Sequence, residues 1–381
     1  MARQTAIPAM LFRGGTSRGP FFRAEDLPAD PELRDDVLRA VIGSASPLAI
    51  DGVGGGHPLS SKVGIVGPSS AAGVDLDFAF MQLRPGEDAV QHGVNCGNML
   101  AAVLPFALES GMWAPTGDRT SAVVRTLGTG LVAEATVRAP ADAGSVRRVQ
   151  YDGDTTIDGV PGGGSPISLM FRDTAGSVAS SLLPTGELRD TLVLEGGRAV
   201  EATLMDGGQP LAMLRAADLG LDGSESPAEL MADVELRRVV EELRLRAGDL
   251  MGLGDVTEAP YPKTTLLSPP RAGGALCTRS FIPRVVHESL GVLAAVTVAT
   301  ALNMPGTIAA EIGDAGEGER RLLDIEHPGG ALTVDLRIGA DGAVEQAGIV
   351  RTARLLMSGD VHVPADLWDG STRRAERGEI A

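Results

Sequence analysis

Two stretches of this 381-residue chain, 99–109 and 292–302, are apolar around almost every face when set on a helix. A helix without a polar stripe has no side to show to water and must be enclosed on all sides. Each is led by a polar turn, Asn95-Cys96-Gly97-Asn98 before the first and His287-Glu288-Ser289-Leu290-Gly291 before the second. Strand-like runs surround both. Around the first lie 7–12, 74–83, 121–127, 130–138 and 145–151. Around the second lie 166–171, 191–194, 199–205, 264–267, 275–281, 331–338 and 345–356. An amphipathic helix is expected over 31–43, with Leu33, Val37, Leu38, Val41 and Ile42 on one face, and a polar one over 227–247. The pattern reads as an α+β fold with an internal pseudo-repeat. Two similar domains, 1–183 and 184–363, are each expected to wrap a mostly antiparallel, curved sheet around one apolar helix. Strand 345–356 is a candidate to return to the first domain, and 364–381 reads as a frayed tail.

Length agrees with two domains, because single cores rarely grow past about 250–300 residues. Aromatics are only 3% of the chain, so packing rests on aliphatic side chains. The net charge of −17 argues against nucleic acid and anionic membrane as partners, both of which call for a basic face. It leaves room for an anionic small molecule, which responds to the local field of a cleft. Two cysteines provide no disulfide framework. No basic, apolar leader opens the chain and no run of 18 apolar residues occurs, so a cytoplasmic protein is expected, with homo-oligomerisation left open.

Lysine is nearly absent. Only Lys62 and Lys263 stand among 33 basic residues. Arginine holds its proton in proteins, whereas a lysine amine can be tuned to release it. Lys62 follows the Gly-rich turn 51–56 and enters the apolar run 63–66, a loop-to-strand junction suited to chemistry; drift toward arginine is the plain alternative. Lys263, at a strand edge, is left undecided between solvation and substrate contact. The segment 13–20 packs two arginines, two hydroxyls and three glycines into eight residues, which suits either a ligand loop or an ordinary hairpin connection. Cys96 falls at a helix start, where free N–H groups favour a thiolate or a developing oxyanion, while Cys277 reads as packing. The five histidines are scattered without metal-ligand spacing, and no dinucleotide or phosphate loop is present, so neither metal nor cofactor is expected.

Several motifs in order narrow the field. Asn95-Cys96-Gly97-Asn98 opening a buried helix resembles the first half-site of diaminopimelate-epimerase-like proteins. Arg13-Gly14-Gly15-Thr16-Ser17-Arg18-Gly19, Leu59-Ser60-Ser61-Lys62-Val63, Pro270-Arg271-Ala272-Gly273-Gly274 and Arg351-Thr352-Ala353-Arg354 are similar to the PrpF branch of that superfamily, isomerases of unsaturated tricarboxylates. Within the branch, 287–293 is most similar to the 4-oxalomesaconate tautomerases of aromatic-acid breakdown; relatives also act on 2-methylaconitate. The parent epimerases use two facing cysteines, but here the second helix is led by His287, Glu288 and Ser289, so a two-thiol racemisation is not expected.

The resemblance implies a cofactor-independent 1,3-proton transfer at a site between the domains. Lys62 and Cys96 are then the candidate catalytic residues. Arg13, Thr16, Ser17, Arg18, Asn95, Gly97, Asn98, Arg279, His287 and Ser289 are the candidate substrate-binding residues. Arg351 and Arg354 read as surface or interdomain pairs. A 2-methylaconitate isomerase is the near alternative, and a non-catalytic tricarboxylate-binding protein the one from another class.

Overall fold

The computed structural model describes residues 4–93, 96–142 and 144–371. The chain divides into two compact units. The first holds the residues up to Leu169 together with those from Arg351 onward, and the second is Met170–Val350.

The first unit opens with β1 Gln4–Gly14 and β2 Ser17–Arg23, then α1 Pro31–Ile42, β3 Lys62–Pro68, β4 Leu76–Leu83 and the short β5 Val90–Gln91. The apolar segment follows as α2 Gly97–Leu100 and α3 Val103–Glu109, then β6 Arg119–Thr126, β7 Val132–Arg138 and β8 Ile167–Arg172, within which the chain passes to the second unit. The first strands pair antiparallel, β2 runs parallel to β3, β3 antiparallel to β4, β4 parallel to β6, and β6 antiparallel to β7. Asp30 caps α1 by accepting from the Leu33 N–H, and Gly43 ends it in the left-handed region. The sheet has helices on both faces. Val63, Ile65, Ala79 and Met81 pack with Val37, Leu38, Val41 and Ile42 of α1. Because strand side chains alternate, Lys62, Gly64 and Val66 point to the other face, toward α2 and α3.

The apolar helix is interrupted at 101–102, and Pro105 explains it. Proline has no N–H to give the Ala101 carbonyl and its ring crowds that oxygen. The chain instead tightens, with the Ala102 N–H reaching Met99 O at 3.0 Å, and restarts with Phe106 N–H to Ala102 O at 2.9 Å.

The second unit comprises β9 Asp190–Val193, β10 Ala199–Asp206, β11 Pro210–Arg215, α4 Pro227–Ala232, α5 Val234–Leu250, β12 Lys263–Ser268 and β13 Leu276–Phe281. It continues with α6 Val292–Leu302, α7 Ile308–Ile312, β14 Arg320–His327, β15 Gly330–Ile338 and β16 Val344–Arg351. Its pairings repeat the first unit's order: β11 parallel to β12, β12 antiparallel to β13, β13 parallel to β14, β14 antiparallel to β15. Leu204, Ala212, Leu266 and Phe281 pack with Leu236, Val240 and Leu243 of α5. On the other side α6 is buried from Ala294 to Leu302 against β10, β11, β14 and β15. The α+β fold with one apolar helix held by each sheet is therefore present.

Several expectations are corrected. The run 345–356 is two strands: β16 belongs to the second unit, while β17 Ala353–Pro364 crosses back to pair antiparallel with β1 along its whole length. The divide falls at 169/170 rather than 183. The polar helix breaks at Asp233, whose carboxylate caps α5 through the Leu236 N–H. Segment 145–151 makes only an isolated bridge, Ala141 to Arg147. The stretch read as a tail is anchored in part, since Trp368 is only 3% exposed and its carbonyl accepts from Thr5 Oγ1 at 2.5 Å.

Candidate active site

The segment 13–20 proves to be a hairpin whose turn is two residues, Gly15-Thr16, because Gly14 already pairs with Ser17. Gly15 supplies the positive φ, 51°, that such a turn needs at its first position. The glycines also let the hairpin press on its neighbours. A Cβ at Gly14 would run into the Asn98 carbonyl, one at Gly15 into the Asn98 side chain, and one at Gly19 into the Lys62 carbonyl. The hairpin tip is thus seated on both the start of α2 and the start of β3.

Around that tip, polar groups converge. Asn98 Nδ2 donates to Thr16 Oγ1 at 2.9 Å, and Asn98 Oδ1 accepts from Arg351 Nε at 3.1 Å. Arg351 is 8% exposed; burial pushes its guanidinium pKa down to about 10, and the nearby Cys96 works the other way. A charged guanidinium held out of water is a receptor for an anion. Cys96 is half-buried and stands at the cap position of α2, where its carbonyl accepts the Leu100 N–H at 2.9 Å. Two groups beside the turn are buried without partners: Ser17 Oγ and Arg18 Nε. Buried donors of this kind cost free energy unless a ligand meets them. Asn95 lies outside the described residues, while Gly97 is the first residue of α2.

Arg13 differs from the expected clamp. Its Nη1 donates to Gly15 O, Thr352 O and Thr352 Oγ1 at 2.9, 3.1 and 3.1 Å, tying the turn to the chain entering β17. Burial, and then Arg354 opposite it on β17, lower its pKa. Arg351 is the corresponding omission. The sequence showed it in the Arg351–Arg354 motif, but its partner Asn98 lies 253 positions away.

Lys62 opens β3 and is 7% exposed. Its Nζ contacts Gln82 Oε1 and lies 5.1 Å from the centroid of the Phe80 ring. The Gln82 amide is oriented by its own N–H groups, which reach the Pro58, Ser61 and Leu83 carbonyls at 3.1, 3.1 and 2.8 Å. Its oxygen is thereby left to the lysine. Among the described residues Lys62 has no carboxylate partner.

A family model described as PrpF protein matches residues 4–364. The chain belongs to the PrpF family. It is similar to the (4E)-oxalomesaconate Delta-isomerase of a Novosphingobium species, 47% identical over 94% of this chain and 98% of that protein. It is also similar to the 4-oxalomesaconate tautomerase of Pseudomonas putida, 45% identical over 96% of this chain and 99% of that protein. A crystal structure of methylitaconate-delta-isomerase superposes with a TM-score of 0.84 at 31% identity, covering 96% of this chain and 97% of that one.

In the second unit of this PrpF chain the expected residues divide. Arg279 lies on the α5 face of β13, and its guanidinium is used internally. Nε donates to Glu225 O at 2.6 Å, and Nη1 donates to Thr278 O at 2.9 Å and Cys277 Sγ at 3.3 Å. The expectation that it clamps a ligand carboxylate is corrected by the alternation along the strand, which turns 277, 279 and 281 away from α6. His287 and Ser289 are exposed in the turn before α6. Of the remaining histidines, His57 Nδ1 caps a short turn through the Leu59 N–H, and His92 pairs with Asp35.

Proposed function

We propose that this PrpF-family isomerase moves a double bond in an unsaturated tricarboxylate by 1,3-proton transfer, with 4-oxalomesaconate as substrate and the breakdown of aromatic acids as its setting. The observation that carries the reading is Lys62. It is a nearly buried amine held by an amide oxygen and an aromatic face, in the unit where Asn98, Cys96 and Arg351 also meet.

Allylic isomerisation removes a proton from the carbon beside a double bond, acidified by a neighbouring carbonyl or carboxylate. The electron pair spreads into a dienolate, and a proton returns two carbons along, so no atom is gained or lost. Lys62 Nζ is assigned as the base that takes the first proton. Arg351, backed by Asn98, is assigned to a carboxylate or to the dienolate oxygen, where fixed positive charge stabilises the developing anion. Ser17 Oγ, buried and unpartnered on the face of β2 that Phe21 shares, supplies a further donor to a substrate carboxylate. Cys96, beside Arg351, is assigned to the second proton position.

The test is proton exchange followed by NMR in D2O with 4-oxalomesaconate and with 2-methylaconitate. The parent is expected to place deuterium in 4-oxalomesaconate, and Lys62→Met to slow this at least about a hundredfold, the usual scale for removing a general base. Faster turnover of 2-methylaconitate would reassign the substrate. No enzyme-dependent exchange in either acid would leave only binding.

A further inference from the structure

Three arginines stand side by side on neighbouring strands of the first unit. Arg13 of β1 lies opposite Arg354 of β17 on one side and opposite Arg18 of β2 on the other. Residues directly opposed across antiparallel strands point to the same face of a sheet. Here that is the α1 face, because steps of two lead from Ile7 and Ala9 to Arg13 and from Phe22 to Arg18. Lys62 points to the other face. With strands about 4.8 Å apart, the row spans roughly 10 Å.

Like charges directly opposed on a sheet are unfavourable, and a carboxylate between them is the ordinary remedy. The chain has 50 acidic residues against 33 basic ones, and Arg125, Arg215 and Arg320 each hold an acid. Among the described residues, none of the three in the row does. Arg13 spends Nη1 on Gly15 O and on Thr352, which are neutral. Arg18 Nε is buried without a partner. A Cβ on Gly55 would stand 3.1 Å from Arg18 Nη2, so a glycine there keeps room beside the guanidinium. Arg354 is exposed, and its charge, after burial, lowers the Arg13 pKa. Cations that repel one another and lack an acid are relieved by a shared anion.

We propose that the row formed by Arg354, Arg13 and Arg18 binds a small, multiply charged phosphate anion on the α1 face of the first unit, separately from the Lys62 site. Guanidinium forks match phosphate oxygens in geometry. A diphosphate brings charge and length enough to engage neighbouring arginines, where a single carboxylate would leave two of them opposed. The inference stands apart from the isomerase reading, because binding on this face requires no turnover.

Titration calorimetry of the full chain with inorganic pyrophosphate, in phosphate-free buffer at matched ionic strength, tests it, with melting curves alongside. The parent is expected to bind pyrophosphate. Arg354→Gln should weaken it about tenfold, the scale of one lost charged hydrogen bond. Without added pyrophosphate the same variant should melt at or above the parent's temperature, since a repelling charge is gone. Lys62→Met, altered on the other face, should bind pyrophosphate like the parent. A parent that binds none, or an Arg354→Gln variant that binds like the parent, overturns the proposal. Loss of binding in Lys62→Met assigns the anion to the opposite face and overturns it as well. Loss in Arg354→Gln together with a lowered melting temperature makes the role structural, with the same consequence.

Discussion

Gly15 and Asn98 show how a site is set by one missing methyl group. At φ 51°, with its absent Cβ directed into the Asn98 side chain, Gly15 is fixed twice over, by conformation and by space. Gly15→Ala is expected to cost about 1–3 kcal/mol from the left-handed backbone alone, seen as a lowered urea midpoint. Because the displaced Asn98 positions Arg351, kcat/KM should fall further than stability explains. Arg351→Met tests that link directly: a fall in kcat/KM of about tenfold or more is expected, with Asn98→Ala giving a smaller loss in the same direction. The residues proposed for the chemistry were partly visible in the sequence. Lys62 stood out because lysine is scarce, and Cys96 because a polar turn led an apolar helix. Arg351 did not, because its partner is 253 positions distant and nothing local in Arg351-Thr352-Ala353-Arg354 tells which arginine turns inward. The setting of Arg13 was hidden for the same reason, two of its three hydrogen bonds going to Thr352, 339 positions away.

Elements were legible where their own pattern decided them. The α6 helix and α1 follow from apolar spacing and, for α1, from Asp30, Pro31 and Gly43. Strand β14 was hidden because its sequence carries two arginines, an aspartate, a glutamate and a histidine, and its burial comes only from the neighbours it pairs with. At this scale the second unit is tied by an ion cluster: Arg215 of β11 holds Glu311 of α7 and Glu201 of β10, and Arg189 reaches Glu311 as well. The hydrogen bonds from Arg215, opposed by some desolvation, hold the Glu311 carboxyl at about 2. Its folded pKa lies below its ordinary value of 4.5. The stabilisation is therefore complete above that pH and fades as pH falls toward 2. Glu311 is well exposed, so the effect is small. Urea midpoints of the parent and Glu311→Gln should differ at pH 6 and draw together by pH 3. A difference that stays constant over this range would assign the loss to packing instead.

At the scale of the whole chain, the pseudo-repeat was readable and its closure was not. Two apolar helices in similar settings announce two similar units, but no periodicity tells which unit a late strand will join. Here β17 pairs with β1 from Gln4↔Pro364 to Gly14↔Ala353, with one irregularity between Leu11 and Phe12. Trp368 then packs among Val37, Val41 and Val363 in the first unit's core. A chain cut after Thr352 would leave β1 without this partner and expose an unpaired strand edge, a template for aggregation. It would also leave Arg13 facing a severed end. Such a truncation is expected to yield aggregated protein, because the first unit cannot complete its sheet from its own earlier strands. A graded version keeps the point measurable in a folded protein: Trp368→Ala should cost about 3–5 kcal/mol, the scale for emptying a buried aromatic site, read from the urea midpoint. With β17 still paired, the hydrogen bonds of Arg13 to Thr352 persist, so turnover by the variant at low temperature should stay near the parent's. A truncated chain that stays soluble and melts like the parent would mean that β17 only covers the first unit and is not needed to build it.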